Sequence, residues 1–341
     1  MQYRQLGKTN LKVSVIGFGG VPITRVSQEE ATETLHSAFD LGVNFIDTAR
    51  SYSDSEEKIG KALAEYNDRD KIIIATKARK QTAEEMAESI EESLQILQTD
   101  YIDLYQVHDL KEGQLETVTG PGGAIEALQE AKEAGKIGHI GLSGHRPNAM
   151  IPAIRSGHFA TAQIPLNIID YPLFKDNIPA AHEEGVGLII MKPLCGGLME
   201  SAPRALRFVL SHPVSTAIPG MDSPEEVQEN VAVGQKGNEL TETDMKKLEE
   251  EAAELGQDFC RRCGYCEPCP AGIAIPDIFR FDRYYVSYFS KEWAKQQYEG
   301  LDAHVPECID CAHCEEKCPY QLPIRDKLQQ AHEHLSGEND N

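Results

Sequence analysis

The sequence has no excess of positive charge: 33 Lys and Arg stand against 55 Asp and Glu, a formal net charge of −22. Nucleic acids and anionic membrane surfaces are recognised through basic footprints, so neither is expected as a partner. Long apolar runs are missing too; the longest are strand-sized, well short of the roughly 20 residues a membrane-spanning helix needs. The opening MQYRQLGKTNLKV lacks the basic-then-apolar order of an export signal, so a cytoplasmic location is expected. No G-x-G-x-x-G follows the first apolar run, because Gly17, Gly19 and Gly20 do not make one, which weakens the case for a doubly wound dinucleotide fold. Cysteine is nearly absent from the first three quarters, where only Cys195 occurs, read as a small packing residue.

What remains is 341 residues of ordinary globular composition, 40% hydrophobic and 26% charged, enough for one large domain and a smaller one. Eight strand-sized runs precede residue 255: VSVIGF (13–18), NFID (44–47), KIIIAT (71–76), DLYQVH (103–108), IGHIGL (137–142), TAQIP (161–165), GLIIM (187–191) and VSTAIP (214–219). Amphipathic helical stretches alternate with them, such as QEEATETLHSAFDLG and GGAIEALQEAKEAGK, the latter ending on Gly135 as a C-cap. Repeated strand-then-helix units imply parallel strands with right-handed crossovers. Eight such units in this length predict a (β/α)8 TIM barrel over 1–256, with a charged connecting helix near its end. Residues 257–341 form a second, small and mainly helical domain that holds the other eight cysteines.

Four polar residues fall at successive strand ends, where such a barrel gathers its chemistry on one face: Asp47, Tyr52 just beyond it, Lys77 and His108. Together they suit carbonyl reduction. A Tyr phenol titrates near about 10, too high for an efficient general acid at neutral pH. A neighbouring ammonium lowers that value, and a carboxylate keeps the ammonium charged. His108 would orient the carbonyl oxygen while Tyr52 protonates it. Each residue alone reads as structural; their joint placement makes the catalytic reading the stronger one.

The stretch NFIDTARSYSDSEEKIGKAL resembles the aldo/keto reductase signature, and IIIATK, YQVHD and GPGGAIEALQEAKEAGKIGHIGLSGH match further parts of that family. The resemblance covers roughly 1–235. It implies that Asp47, Tyr52, Lys77 and His108 are the catalytic tetrad, and that a nicotinamide cofactor lies extended over the barrel mouth. Ser143 and Gln163 would hold the carboxamide, with Gly19, Gly20 and Asp47 nearby. Met191 stands where the family usually places a stacking aromatic, and Gly144 where an Asn usually follows the Ser. Lys192, Pro193, Leu194, Gly196 and Gly197 would form the pyrophosphate loop, and Glu229 and Asn230 would contact adenine. The positions that often grip a 2′-phosphate are Gly220 and Glu226; a carboxylate there repels a phosphate but accepts a ribose hydroxyl. NAD(H) is therefore favoured over NADP(H), although Lys192 offers a positive charge nearby.

The cysteines read Cys260-x2-Cys263-x2-Cys266-x2-Cys269-Pro and Cys308-x2-Cys311-x2-Cys314-x3-Cys318-Pro. The second has bacterial-ferredoxin spacing, in which the last Cys serves the other cluster. That rule assigns Cys260, Cys263, Cys266 and Cys318 to one [4Fe–4S] cluster, and Cys308, Cys311, Cys314 and Cys269 to a second. Zinc, which needs only four ligands, a single cluster with spare thiols, and disulfides are the alternatives. Between the motifs, aromatics at 281, 284, 285, 288, 289 and 293 recur at helical spacing, which predicts a helix packing against the clusters. A barrel with this ending resembles the iron–sulfur-containing branch of the aldo/keto reductases, with an alpha-helical ferredoxin-type domain.

The expected function is NAD(P)-dependent interconversion of a small carbonyl and its alcohol, with the clusters relaying electrons or serving structure. The alternative is an electron-transfer subunit or cofactor-sensing module whose barrel mainly docks the cofactor. Hydride moves two electrons together whereas each cluster moves one, so a redox protein partner, presenting a basic face to this acidic chain, belongs to the expectation.

Overall fold

The computed structural model describes residues 1–235, 239–256, 260, 266–287, 291–318 and 321–337. The chain divides into two compact units, Met1–Leu248 and Glu249–Asn341.

The first unit opens with an antiparallel hairpin, β1 (Tyr3–Gln5) and β2 (Lys12–Ser14). Eight parallel strands follow, each paired with its neighbour in sequence: β3 (Phe18–Gly19), β4 (Phe45–Asp47), β5 (Ile73–Ala78), β6 (Ile102–Val107), β7 (Ile137–Ser143), β8 (Thr161–Pro165), β9 (Gly187–Met191) and β10 (Thr216–Ala217). Parallel bridges from Ile16 to Ala217 and from Gly19 to Gly220 bring the first and last strands together, so the sheet curls into a (β/α)8 barrel. The run 13–18, expected as one strand, is two elements. Its first half pairs backwards with β1, and the chain then turns to join the barrel, pinned where Ser14 N–H donates to Asn44 Oδ1 at 2.7 Å.

Helices cross between the strands and bury one stripe each. In Gln28–Asp40 the buried positions Ala31, Thr34, Leu35, Ala38 and Phe39 follow the 3.6-residue period. Ser27 starts it with a reciprocal capping box, accepting from Glu30 N–H while the Glu30 carboxylate accepts from Ser27 N–H. Inside the barrel, Leu6 and Val13 of the hairpin region pack with Phe45, Ile73, Leu104 and Ile189 and plug one end. Each such buried side chain contributes about 1.5–3 kcal/mol of transfer free energy. Gly7 permits this closure: it lies at φ +55, and a Cβ there would meet Gly187 N at 2.2 Å.

Side chains alternate faces along a strand, and that period of two carries the inner row from apolar to polar. Phe45 gives way to Asp47, Ile73 and Ala75 to Lys77, and Leu104 to Gln106. The register places Lys77 beside Gln106 and Ser143 beside Gln163. Polar side chains therefore collect at the C-terminal ends of the strands, opposite the plug.

In the second unit, helices Ile275–Ser287, Lys291–Glu299 and Ile324–Leu335 pack around a core that includes Ile278, Phe281, Tyr298, Val305 and Leu328. The aromatic stretch is thus two helices rather than one. Phe281 is buried, Trp293 lies 5.8 Å from its ring and 4.9 Å from that of Tyr284. The expected positions 288 and 289 lie outside the described residues. No helix among the described residues is long and apolar enough to cross a membrane.

Candidate active site

Lys77 is the centre of the inner polar layer. Its Nζ donates to Asp47 Oδ1 at 2.8 Å, to Asp47 Oδ2 at 2.6 Å and to the Thr48 carbonyl at 2.7 Å. Both partners are buried, Lys77 at 1% and Asp47 at 3% exposure. Burial pushes the Asp47 carboxyl up and the Lys77 ammonium down, and their mutual attraction opposes both shifts. The carboxylate receives further donors, Gln163 Nε2 at 3.3 Å and Gln106 Nε2 at 3.5 Å, while Gln106 Nε2 also reaches Gln163 Oε1 at 2.9 Å. A buried ion pair needs such extra hydrogen bonds to offset its desolvation.

Tyr52 sits on the turn between β4 and helix Ser55–Ala64, with Lys77 Nζ 5.1 Å from its ring centroid. The turn is fastened to the sheet by Arg50 N–H, which donates to the Lys77 carbonyl at 3.0 Å. The Arg50 guanidinium pairs with Glu56 at 2.5 Å and Glu92 at 2.9 Å. Glu56, itself buried, also accepts from Thr76 Oγ1 at 2.6 Å and Ser93 Oγ at 2.9 Å. Thr48 Oγ1 lies 2.8 Å from Ser55 Oγ, which donates to the Gly20 carbonyl at 2.7 Å. Gly20 leaves no room for a side chain, since a Cβ would meet Ser55 Oγ and the Asp47 carbonyl at 2.9 Å. The signature's polar residues thus fix the loop that carries Tyr52.

His108 follows β6 and is buried, its ring edge-on to Tyr52 at 5.8 Å and 88°. Burial first, then Lys77 and Arg79, hold its pKa well below 6.5, so the imidazole is neutral at neutral pH and keeps one N–H to donate. The four expected catalytic residues therefore converge. Just beyond, Asp109 in a left-handed conformation (φ 60) donates its N–H to Ser143 Oγ at 3.0 Å, and its carboxylate lies 2.7 Å from His145 Nδ1.

The expected cofactor contacts fall on the same rim. Ser143 and Gln163 are adjacent in register and buried. At Gly144, where the resemblance expects an Asn, a Cβ would lie 2.4 Å from Met150 Sδ, on a flexible side chain, and 3.1 Å from the Leu110 carbonyl. Met191 is 9% exposed and packs into the barrel interior. The loop after it places Lys192, Cys195, Gly196 and Gly197 at positive φ, with Asn167 Nδ2 donating to the Lys192 carbonyl at 3.0 Å. Within it the Cys195 N–H donates to the Lys192 carbonyl at 3.0 Å and the Gly197 N–H to the Leu194 carbonyl at 2.9 Å, which holds the turn. Cys195 is buried within it, in keeping with a packing role. At the other end Asn230 is buried and its Oδ1 has no protein partner, whereas Glu226 and Glu229 are exposed.

In the second unit, Cys266, Cys269, Cys308, Cys311 and Cys314 line one small cavity. Both Cys266 and Cys269 of the first motif thus join the three leading cysteines of the second, whereas the expected partition places only Cys269 with them. Cys318 does not line that cavity, and Cys263 lies outside the described residues. Among the described residues no three His, Cys, Asp or Glu converge on one metal ion.

A profile of the aldo/keto reductase family matches residues 15–204, and one of the 4Fe-4S dicluster domain matches 259–322. The chain belongs to the aldo/keto reductase family. It is 31% identical to the L-galactose dehydrogenase of Arabidopsis thaliana over 281 residues, 68% of this chain and 88% of that one. It is 28% identical to the 6-dehydroglucose reductase of Novosphingobium aromaticivorans over 224 residues, 60% of this chain and 72% of that one. Among solved structures, a holo-form aldo-keto reductase from Bacillus halodurans superposes with a TM-score of 0.63 at 27% identity, covering 74% of this chain and 96% of that one. This member of the family is an oxidoreductase with a 4Fe-4S dicluster domain at its C-terminal end.

Reading the residues in order missed part of the site. Gln106, Arg50, Glu56 and Asn167 each hold a catalytic or loop element in place. Two of them, Gln106 and Asn167, stand inside or just beyond strands, where a polar residue has no distinguishing pattern. For Arg50 and Glu56 there was one signal, their place inside the signature stretch itself.

Proposed function

We propose that the barrel interconverts a small carbonyl and its alcohol with NAD(H), Tyr52 acting as the general acid and base. The observation that carries this reading is the buried Lys77 ammonium, gripped by Asp47 on one side and 5.1 Å from the Tyr52 ring on the other. A fixed positive charge at that place favours the phenolate and so eases loss of the Tyr52 proton to a substrate oxygen. Neutral His108 would donate its N–H to the same oxygen and orient it. When bound, the nicotinamide supplies the hydride.

The residues fit that cofactor. Asn230 Oδ1 is a buried acceptor in want of a donor, as an adenine amino group would be. The Lys192–Gly197 loop suits a pyrophosphate, and Ser143 with Gln163 lies at strand ends beside the tetrad. A preference for NAD(H) follows from the ribose end. Gly220 cannot gain a basic side chain easily, since a Cβ there would meet Pro22 Cγ at 2.6 Å, and Glu226 presents a carboxylate. The names of two relatives point to sugar carbonyls as the substrate class to try first.

We propose further that Cys260, Cys263, Cys266 and Cys318 hold one [4Fe–4S] cluster, and Cys269, Cys308, Cys311 and Cys314 the other. The donor set suits it: five cysteine thiols line one cavity, more than the four ligands a mononuclear zinc site takes. Bound clusters supply one-electron transfer. Anaerobic purification of the full chain, with iron and acid-labile sulfide counts and then a carbonyl panel with NADH, tests both halves. About eight irons and NADH-dependent turnover support the reading; stoichiometric zinc overturns the cluster assignment. NADH bleaching the cluster absorption without a carbonyl would make the clusters a relay.

A further inference from the structure

Arg325 stands in the first turn of helix Ile324–Leu335 and lines the cysteine cavity. Two of its guanidinium nitrogens are spoken for. Nη1 pairs with Asp310 Oδ1 at 2.5 Å and Nη2 with Glu315 Oε2 at 2.9 Å, while its backbone N–H donates to Glu315 Oε1 at 2.9 Å. Both carboxylates belong to the loop that carries the second motif: Asp310 lies between Cys308 and Cys311, at φ 53, and Glu315 follows Cys314. Arg325 therefore clamps the Cys-x2-Cys-x2-Cys turn at two points. The third donor, Nε–H, is buried and has no hydrogen-bond partner in the protein. A buried donor of a cationic group left unpaired costs on the order of 1–3 kcal/mol or more, so it implies a partner. The other cavity walls offer sulfur and apolar groups: the five cysteines with Ile273, Ile275, Ile309 and Leu328 among them.

We infer that Arg325 Nε–H donates a hydrogen bond to a sulfur of the cluster held by Cys269, Cys308, Cys311 and Cys314, and thereby raises the reduction potential of that cluster alone. The inference rests on the dicluster reading above. Reduction adds negative charge to a cluster, and a donor to its sulfurs stabilises the reduced form more than the oxidised one. Long-range charge contributes less, because Asp310 and Glu315 already offset the guanidinium. The hydrogen bond and the loop clamp come from one side chain. Lys at this position would keep the charge and lose the planar fork that serves both.

The test is a comparison of the full-length holoprotein with its Arg325→Lys variant, both purified anaerobically. Redox titration followed by EPR reads the two midpoints. The variant is expected to lower one cluster's reduction equilibrium about tenfold, about 59 mV for a one-electron couple, and to leave the other unmoved. In parallel, wild-type protein labelled with 15N in its arginine side chains is reduced and examined by ENDOR. An arginine 15N coupling that disappears in the variant supports the inference. Its absence in the wild type, its persistence in the variant, or equal movement of both midpoints overturns it. Should the variant lose iron, the wild-type coupling decides alone. About eight irons with unmoved potentials defeat Arg325's role and leave the dicluster reading intact, whereas a wild type without clusters removes both.

Discussion

Lys77 Nζ reaches both carboxylate oxygens of Asp47, at 2.8 and 2.6 Å, in a layer of the barrel where neither residue is more than 3% exposed. The pair depends on its own completeness. Removing one partner from a buried ion pair leaves an uncompensated charge and typically costs about 3–5 kcal/mol. Lys77→Met is therefore expected to destabilise the barrel by that order. The double variant Lys77→Met/Asp47→Asn should recover part of the loss while remaining inactive. Urea unfolding of the three proteins checks this; additive losses would show that the two residues are not coupled.

His108 makes stability depend on pH in one direction. Its folded pKa lies well below 6.5 because burial, Lys77 and Arg79 all disfavour the imidazolium. As pH falls below about 6.5 the unfolded chain takes up a proton that the folded chain refuses. This contribution is present above the unfolded value and is lost as pH falls toward the folded one, at up to about 1.4 kcal/mol per pH unit. Denaturation of wild type and His108→Asn at pH 7.5 and 5.5 isolates it: the variant should lose less stability on acidification. An equal loss would assign the dependence to other groups.

The ribose end makes its own prediction. Glu226 accepts the Asp222 N–H at 3.0 Å, and the proposed cofactor placement puts its carboxylate near a 2′-phosphate. Glu226→Arg is expected to strengthen NADPH binding relative to NADH about tenfold, about 1.4 kcal/mol. Fluorescence titration of both reduced cofactors reads it, with Glu226→Gln as the control for loss of the Asp222 contact. Wild-type protein binding NADPH more tightly than NADH would contradict the assignment.

How much of this was legible in the sequence varies with the range of the interaction. The barrel and the meeting of Asp47, Tyr52, Lys77 and His108 were, because strand periodicity is local and the register of parallel neighbours carries Asp47, Lys77 and His108 to one rim. The hairpin was not: VSVIGF is apolar throughout, and nothing in it tells that Lys12–Ser14 pairs with Tyr3–Gln5 while Phe18–Gly19 pairs with β4. Pairing partners are non-local, and hydropathy does not encode them. Gly144 was visible only as a departure, and its close neighbours, Met150 and the Leu110 carbonyl, are brought there by packing. The cysteine spacing announced a cluster domain, but Arg325 gave no sign until its two carboxylate partners and its orphaned Nε–H were placed in space.

The most direct measurement compares wild type with Tyr52→Phe. NADH binding is read by fluorescence and single-turnover NADH oxidation is followed with a carbonyl that the wild type reduces. Loss of a general acid slows the reaction by about 10²–10⁴-fold. The account expects a loss of that size with NADH affinity unchanged. Turnover retained in Tyr52→Phe, or lost only in step with NADH binding, would contradict it.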